Sequence, residues 1–195
     1  MQIQIHHLSP VFLEEEKINS SQIWNKELLF KKGEKIQLVA PSGSGKTSFF
    51  HFLYGLRKDY SGTIHFNNKN IKNFNAEEMA NCRSSQISIV FQDLRLFADH
   101  SAYDNIHIKQ QLNPYVDAEP INEMAKKLGI DTKLQQLANI CSYGEQQRIA
   151  IIRALQQPFD FLLLDEPFSH LDEANSYKAM QLIMQEVEKR KAGII

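Results

Sequence analysis

"GEKIQLVAPSGSGKTS", residues 33–48, holds an apolar run, then a string of small residues, then Lys46-Thr47 opening a helical pattern that continues to about Tyr54. The segment 33–40 reads as a strand running into a tight loop. A Gly/Ser turn that merely caps a helix is the plainer reading of "PSGSG". Strand, small-residue loop, Lys-Thr and helix in that order are instead the context a phosphate-binding loop requires. Small side chains at Ser42, Gly43, Ser44 and Gly45 let the backbone wrap a phosphate so that its N–H groups converge on the oxygens. Lys46 is then placed to reach the β/γ-phosphates, and the Thr47 hydroxyl to meet Mg²⁺. Ala40 stands where the motif usually begins with Gly, and adds minimal bulk. Pro41 and Ser48 complete the stretch expected to contact nucleotide.

A matching half lies downstream. "FLLLDEP", 161–167, is an apolar strand ending in Asp165, which would hold Mg²⁺ at the carboxyl edge of the sheet, where ligands of open α/β folds sit. Glu166 follows, and a carboxylate there can polarise water for attack on a γ-phosphate.

Between and around these motifs, "SGTIHFNN" (61–68) and "QISIVF" (86–91) read as strand pieces. From about 93 to 140 strand-type runs vanish and "AEPINEMAKKLGI" reads as a helix with Pro near its first turn. A helix is expected from about Asp172 to Lys191, with Tyr177, Met180, Met184 and Val187 at core spacing. Strands without clean alternation, separated by helices, argue for a largely parallel sheet covered on both faces.

The bulk properties bound the function. The chain has 195 residues, 43% hydrophobic and 23% charged, with a net charge of -1. There is no bulk electrostatic case for nucleic acid. Cys82 and Cys141, far apart and without metal-type spacing, are expected to be reduced thiols in a cytosolic protein. No apolar run approaches the ~20 residues needed to span a bilayer, and "MQIQIHHLSP" lacks the pattern of a signal peptide. Any membrane role must come through a partner.

"ICSYGEQQRIAIIRAL", 140–155, contains a capping box, Ser142 to Glu145, ahead of a helix burying Ile149, Ile152 and Leu155. A helix start lined with small residues is also a ready anion site. Taken with the two motifs above, the whole chain resembles, in order, the nucleotide-binding subunits of ATP-binding-cassette (ABC) proteins. "APSGSGKT" is similar to their Walker A loop and "FLLLDE" to their Walker B strand. "VFQDL" resembles the Q-loop, with Gln92 at the position that contacts Mg²⁺ and senses the membrane partner. "CSYGEQQR" resembles the signature LSGGEQQR, Ser142 and Gly144 matching, Cys141 and Tyr143 departing. "SHLD" (169–172), with Ser169 and Asp172, resembles the D-loop that crosses to the other subunit. Phe12 falls where the family places an aromatic that stacks on adenine.

The resemblance implies an α/β P-loop NTPase over 1–195 as a single domain: a mostly parallel central sheet, an N-terminal antiparallel β portion and a helical insert at about 93–140. It implies ATP and Mg²⁺ as ligands and a homodimer or paired cassette. In that dimer Ser142, Tyr143, Gly144 and Glu145 of one copy complete the ATP site of the other. It further implies a separate integral membrane permease, and a cytoplasmic place at the inner face of the membrane. "FQDLRLFADHSAYDNI" is similar to the group serving lipoprotein release, macrolide export and bacterial cell division. The family's switch histidine follows a strand that would begin at "KAGII" (191–195). Taken literally, the chain is expected to bind ATP well and hydrolyse it poorly, since a general acid/base is worth roughly 10²–10⁴ in rate; a shortened reading frame would explain the missing histidine equally well. His170, in the D-loop match, is not a substitute. The remaining histidines show no ligand spacing. The alternative from another class is a soluble ABC ATPase acting on DNA or ribosomes, for which the single cassette, the lack of sustained heptads and the near-zero charge give no support. A P-loop kinase would leave "CSYGEQQR" without a reason.

Overall fold

The computed structural model describes residues 1–115 and 117–195; residue 116, inside the stretch read as a helical insert, lies outside the described residues. The N-terminal part is an antiparallel sheet in the order β2-β1-β3-β4, with β1 Gln2–Pro10, β2 Glu27–Lys31, β3 Tyr60–Phe66 and β4 Lys69–Asn70. Alternation on β1 buries Ile3 and Ile5, then slips: the β1/β3 register shifts between His6 and Ser9, and His7 takes φ 49°. Such a bulge re-aims the following side chains, so Leu8 turns inward. Opposite the bulge, a Cβ on Gly62 would lie 2.3 Å from the His7 carbonyl oxygen, so only glycine fits there.

The second sheet is parallel, in the order β5-β6-β7, with β5 Ile87–Val90, β6 Phe161–Leu164 and β7 Gly193–Ile194. β6 alternates between two cores. Phe161 and Leu163 join Ile3, Phe49 and Phe52 on one side, while Leu162 joins Ile106, Ile149 and Leu182 on the other. A sheet buried on both faces explains why its strands read as unbroken apolar runs. The first core is closed by helices α2 (Lys46–Leu53) and α3 (Ala76–Ser85), with the short α1 (Glu15–Asn19) adding partly buried Ile18 at its edge. The second gathers α4 (Ala102–Leu112), α5 (Ile121–Lys127), α6 (Tyr143–Leu155) and α7 (Glu173–Arg190). Among the described residues, 93–140 holds helices and only isolated bridge pairing.

Two expectations are corrected. The segment 33–40 forms no extended strand: it makes one parallel bridge, Lys35 to Ile194, and the Ile36 N–H donates to the Ile194 carbonyl at 2.9 Å. Its neighbour β7 offers two residues for pairing, and beyond Ile36 the segment peels away, leaving Val39 85% exposed. On α7, Tyr177 and Met180 are 65% and 39% exposed rather than core. The inward stripe is Ala179, Leu182, Ile183, Glu186, Val187 and Arg190. Glu186 and Arg190 are tolerated inside because they pair at 2.6 Å, and Arg190 also donates to the Leu155 carbonyl at 2.7 Å. Counting only apolar spacing rotates the helix away from that paired-charge face.

Candidate functional site

The loop after residue 40 turns on Gly43 and Gly45, both at positive φ (75° and 92°), and Gly45 is the N-cap of α2. A side chain on Gly45 would meet the Trp24 ring at 3.0 Å. Trp24 fixes the loop from below, its Nε1–H donating to the Ser44 carbonyl at 2.9 Å. The loop and the start of α2, where a helix leaves its first N–H groups without partners, border a cavity of about 270 Å³ lined by Phe12, residues 41–48, Gln92 and Glu166.

Five side chains predicted from three distant motifs meet here. Thr47 Oγ1, on the first turn of α2, stands 3.2 Å from Gln92 Oε1 and 3.3 Å from Asp165 Oδ1, so its one proton has two acceptors. Gln92, just past β5, donates from Nε2 to Glu166 Oε2 at 3.3 Å. Lys46 Nζ donates to the Ala40 carbonyl at 2.6 Å and lies 3.8 Å from Glu166 Oε1. Asp165, just past β6, is 1% exposed, and its Oδ2 has no hydrogen-bond partner. Burial pushes its carboxyl above the usual range, with a further push from Glu166 and a partial offset from the Thr47 hydroxyl. An unpartnered buried carboxylate oxygen beside a hydroxyl and an amide oxygen is a hard-oxygen donor set of the kind a small divalent cation takes. Glu166 is held at φ 49° in the left-handed region, a conformation that non-glycine residues seldom adopt.

Phe12 reaches the same cavity, half-exposed, with the Arg57 guanidinium 4.6 Å over its ring. Arg57 also donates to Ser48 Oγ at 3.1 Å, tying the aromatic to the loop helix. No local pattern points to Arg57 or Trp24, because both act through long-range contacts.

Ser142, Tyr143, Gly144 and Glu145 do not line this cavity. They form the start of α6, where the expected capping box is present: Glu145 Oε2 accepts from the Ser142 N–H at 2.7 Å, and Ser142 Oγ from the Glu145 N–H at 3.3 Å. One turn on, buried Gln147 links this helix to the segment after β6. Its Nε2 donates to the Glu166 carbonyl (3.3 Å) and to Ser169 Oγ (3.4 Å), and its Oε1 accepts the His170 N–H (3.0 Å). Sequence reading passed over Gln147, although an amide one turn beyond Ser142 was visible in "GEQQR". Asp172 caps α7, accepting the Asn175 N–H at 2.8 Å, and that bond holds its carboxyl below the usual range.

The family description "ABC transporter" matches residues 24–169. The lipoprotein-releasing system ATP-binding protein LolD of Legionella pneumophila (strain Lens) is 33% identical over 172 residues, 87% of this chain and 76% of that relative. An uncharacterized ABC transporter ATP-binding protein, YbbA of Escherichia coli (strain K12), is 32% identical over 93% of this chain and 80% of its own length. The macrolide export ATP-binding/permease protein MacB of Campylobacter fetus is 30% identical over 85% of this chain, which is 26% of that longer relative. In three dimensions, the cassette MJ0796, solved as a dimeric post-hydrolysis state bound to ADP and Pi, superposes with a TM-score of 0.82 at 24% identity, covering 98% of this chain and 85% of that one. The chain belongs to the ABC transporter family, as an ATP-binding cassette.

Proposed function

We propose that the chain is the ATP-hydrolysing subunit of a transporter-type membrane complex, working as a pair of cassettes around two ATP molecules to drive a separate permease. The observation that carries this reading is the convergence of Lys46, Thr47, Gln92 and Glu166 on one small cavity at the start of α2, with Asp165 bonded to Thr47 beside it.

Each residue then has a task. The loop amides of residues 42–47 and the Lys46 ammonium bind the phosphates. Phe12 offers a ring face to the base. Thr47, Gln92 and Asp165 would hold Mg²⁺, which when bound neutralises charge on the β- and γ-oxygens. Glu166, reaching out from a fixed backbone, orients the attacking water and accepts its proton. Ser142, Tyr143 and Gly144, at an exposed helix start away from this chain's own loop, suit the partner cassette's γ-phosphate.

Among the described residues no helix is long and apolar enough to cross a membrane, so a separate permease supplies the span, docking beside Gln92 and the 93–140 insert. The subunit then sits on the cytoplasmic face. Identification of a multi-span protein co-purified in mild detergent tests this half of the reading. The nucleotide half has a built-in probe. Trp24 is the single tryptophan and bonds to the loop carbonyl of Ser44, so MgATP is expected to change its fluorescence with a saturable dose response. No change, together with no ATP retained in equilibrium dialysis, contradicts the assignment.

A further inference from the structure

Residues from two separate motif matches touch each other. Tyr143, in the signature match, packs edge-to-face on His170, in the D-loop match, with ring centroids 4.1 Å apart and planes at 61°. We propose that His170 is a positioning residue that parks the Tyr143 ring off the start of α6, keeping the Tyr143 and Gly144 amides open to the nucleotide of a second copy of this chain. The inference rests on the shared-site reading above.

The need for such a device follows from position. Tyr143 is the first residue of α6 and 46% exposed. In a helix interior, the preceding turn excludes one χ1 rotamer; at the first position no such turn exists, and the ring is free to sweep across the helix end. That end is narrow in donors. The Glu145 N–H is taken by Ser142 Oγ and the Ser142 N–H by Glu145. The amides of Tyr143 and Gly144 are left for an anion, and a tyrosine ring lying over them would cover both.

His170 can hold the ring because its own backbone is fixed to the same helix. Its N–H donates to buried Gln147 Oε1 at 3.0 Å. Its carbonyl presses on the helix start so closely that a Cβ on Gly144 would lie 3.0 Å from it. The imidazole is thus a platform built on α6, and the aromatic pair selects one Tyr143 rotamer from several. A tyrosine at this place becomes compatible with close approach of a partner because a histidine stands beside it.

The test uses the full chain in a Glu166→Gln background, following ATP-dependent dimer formation by sedimentation at a range of MgATP concentrations. His170→Ala should raise the ATP concentration for half-maximal dimer roughly three- to tenfold, the range expected for losing one aromatic pair. His170→Phe, which keeps an aromatic platform, should restore most of it. Tyr143→Gly should dimerise at least as well as its parent, and adding His170→Ala to it should change nothing further. If His170→Ala matches the parent, or if it impairs the Tyr143→Gly protein equally, the parking role is wrong. If the parent itself stays monomeric with MgATP, the shared-site reading fails, and this inference with it.

Discussion

Lys46 and Asp165 carry opposite kinds of cost. Lys46 already has a neutral carbonyl acceptor and a carboxylate at 3.8 Å, so replacing it leaves no buried group stranded. Lys46→Ala should keep the fold but weaken ATP binding roughly 10- to 100-fold, the size of a lost charge-assisted hydrogen bond; equilibrium dialysis reads it directly. Asp165 is the reverse case. Its carboxyl is raised by burial, so the folded chain holds that proton more tightly than the unfolded one. By linkage the stabilising contribution is complete below the ordinary value of 3.8 and is lost as pH rises through the raised value. At neutral pH the ionised group therefore costs stability that a bound cation would offset. Asp165→Asn should raise the melting temperature of the nucleotide-free protein by about 2–4 °C while removing the stabilisation by Mg²⁺ and abolishing hydrolysis. A melting temperature that falls on this substitution contradicts the reading of Asp165 as a site residue maintained at the expense of stability.

At the scale of elements, α6 is the connector. Through Gln147 it holds three groups of the segment that follows β6, including the Glu166 carbonyl. Gln147→Leu preserves volume and helix propensity but leaves those groups without their partner. Urea unfolding should show a loss of about 1–3 kcal/mol, and the hydrolysis rate should fall more than ATP affinity, because Glu166 is displaced while the loop of 41–48 is not. The same scale separates what was legible in the chain from what was not. The phosphate-type loop, the "FLLLD" strand and the Ser142 capping box were readable because their chemistry needs residues in immediate succession. The register slip in β1 was not: Gln-Ile-Gln-Ile alternates for four residues before His7 breaks the period. The strand over 33–40 read correctly in composition and failed in structure, since a strand exists only where a neighbour pairs with it, and β7 pairs as far as Ile36. On α7, apolar counting missed that an ion pair, Glu186–Arg190, belongs to the buried face. The candidate site residues are legible one motif at a time; Trp24, Arg57, Gln147 and the Tyr143–His170 contact depend on packing across the fold that no local pattern carries.

For the whole molecule, the geometry separates the two features that the proposed function pairs across a dimer. The cavity of Lys46, Thr47 and Glu166 and the helix start at Ser142 and Gly144 belong to one chain but do not share a cavity. An isologous pair of chains would bring each half against the partner's other half, with ATP between them. That is the central claim, and its most direct measurement is the mass of the Glu166→Gln protein in solution, by light scattering or sedimentation, with and without saturating MgATP. With the carboxylate proposed to activate water replaced, ATP should persist in the sites and the mass should rise from the 22.5 kDa of one chain to that of two, falling back when EDTA removes Mg²⁺. A protein that binds ATP yet remains at the single-chain mass would contradict the shared-site account.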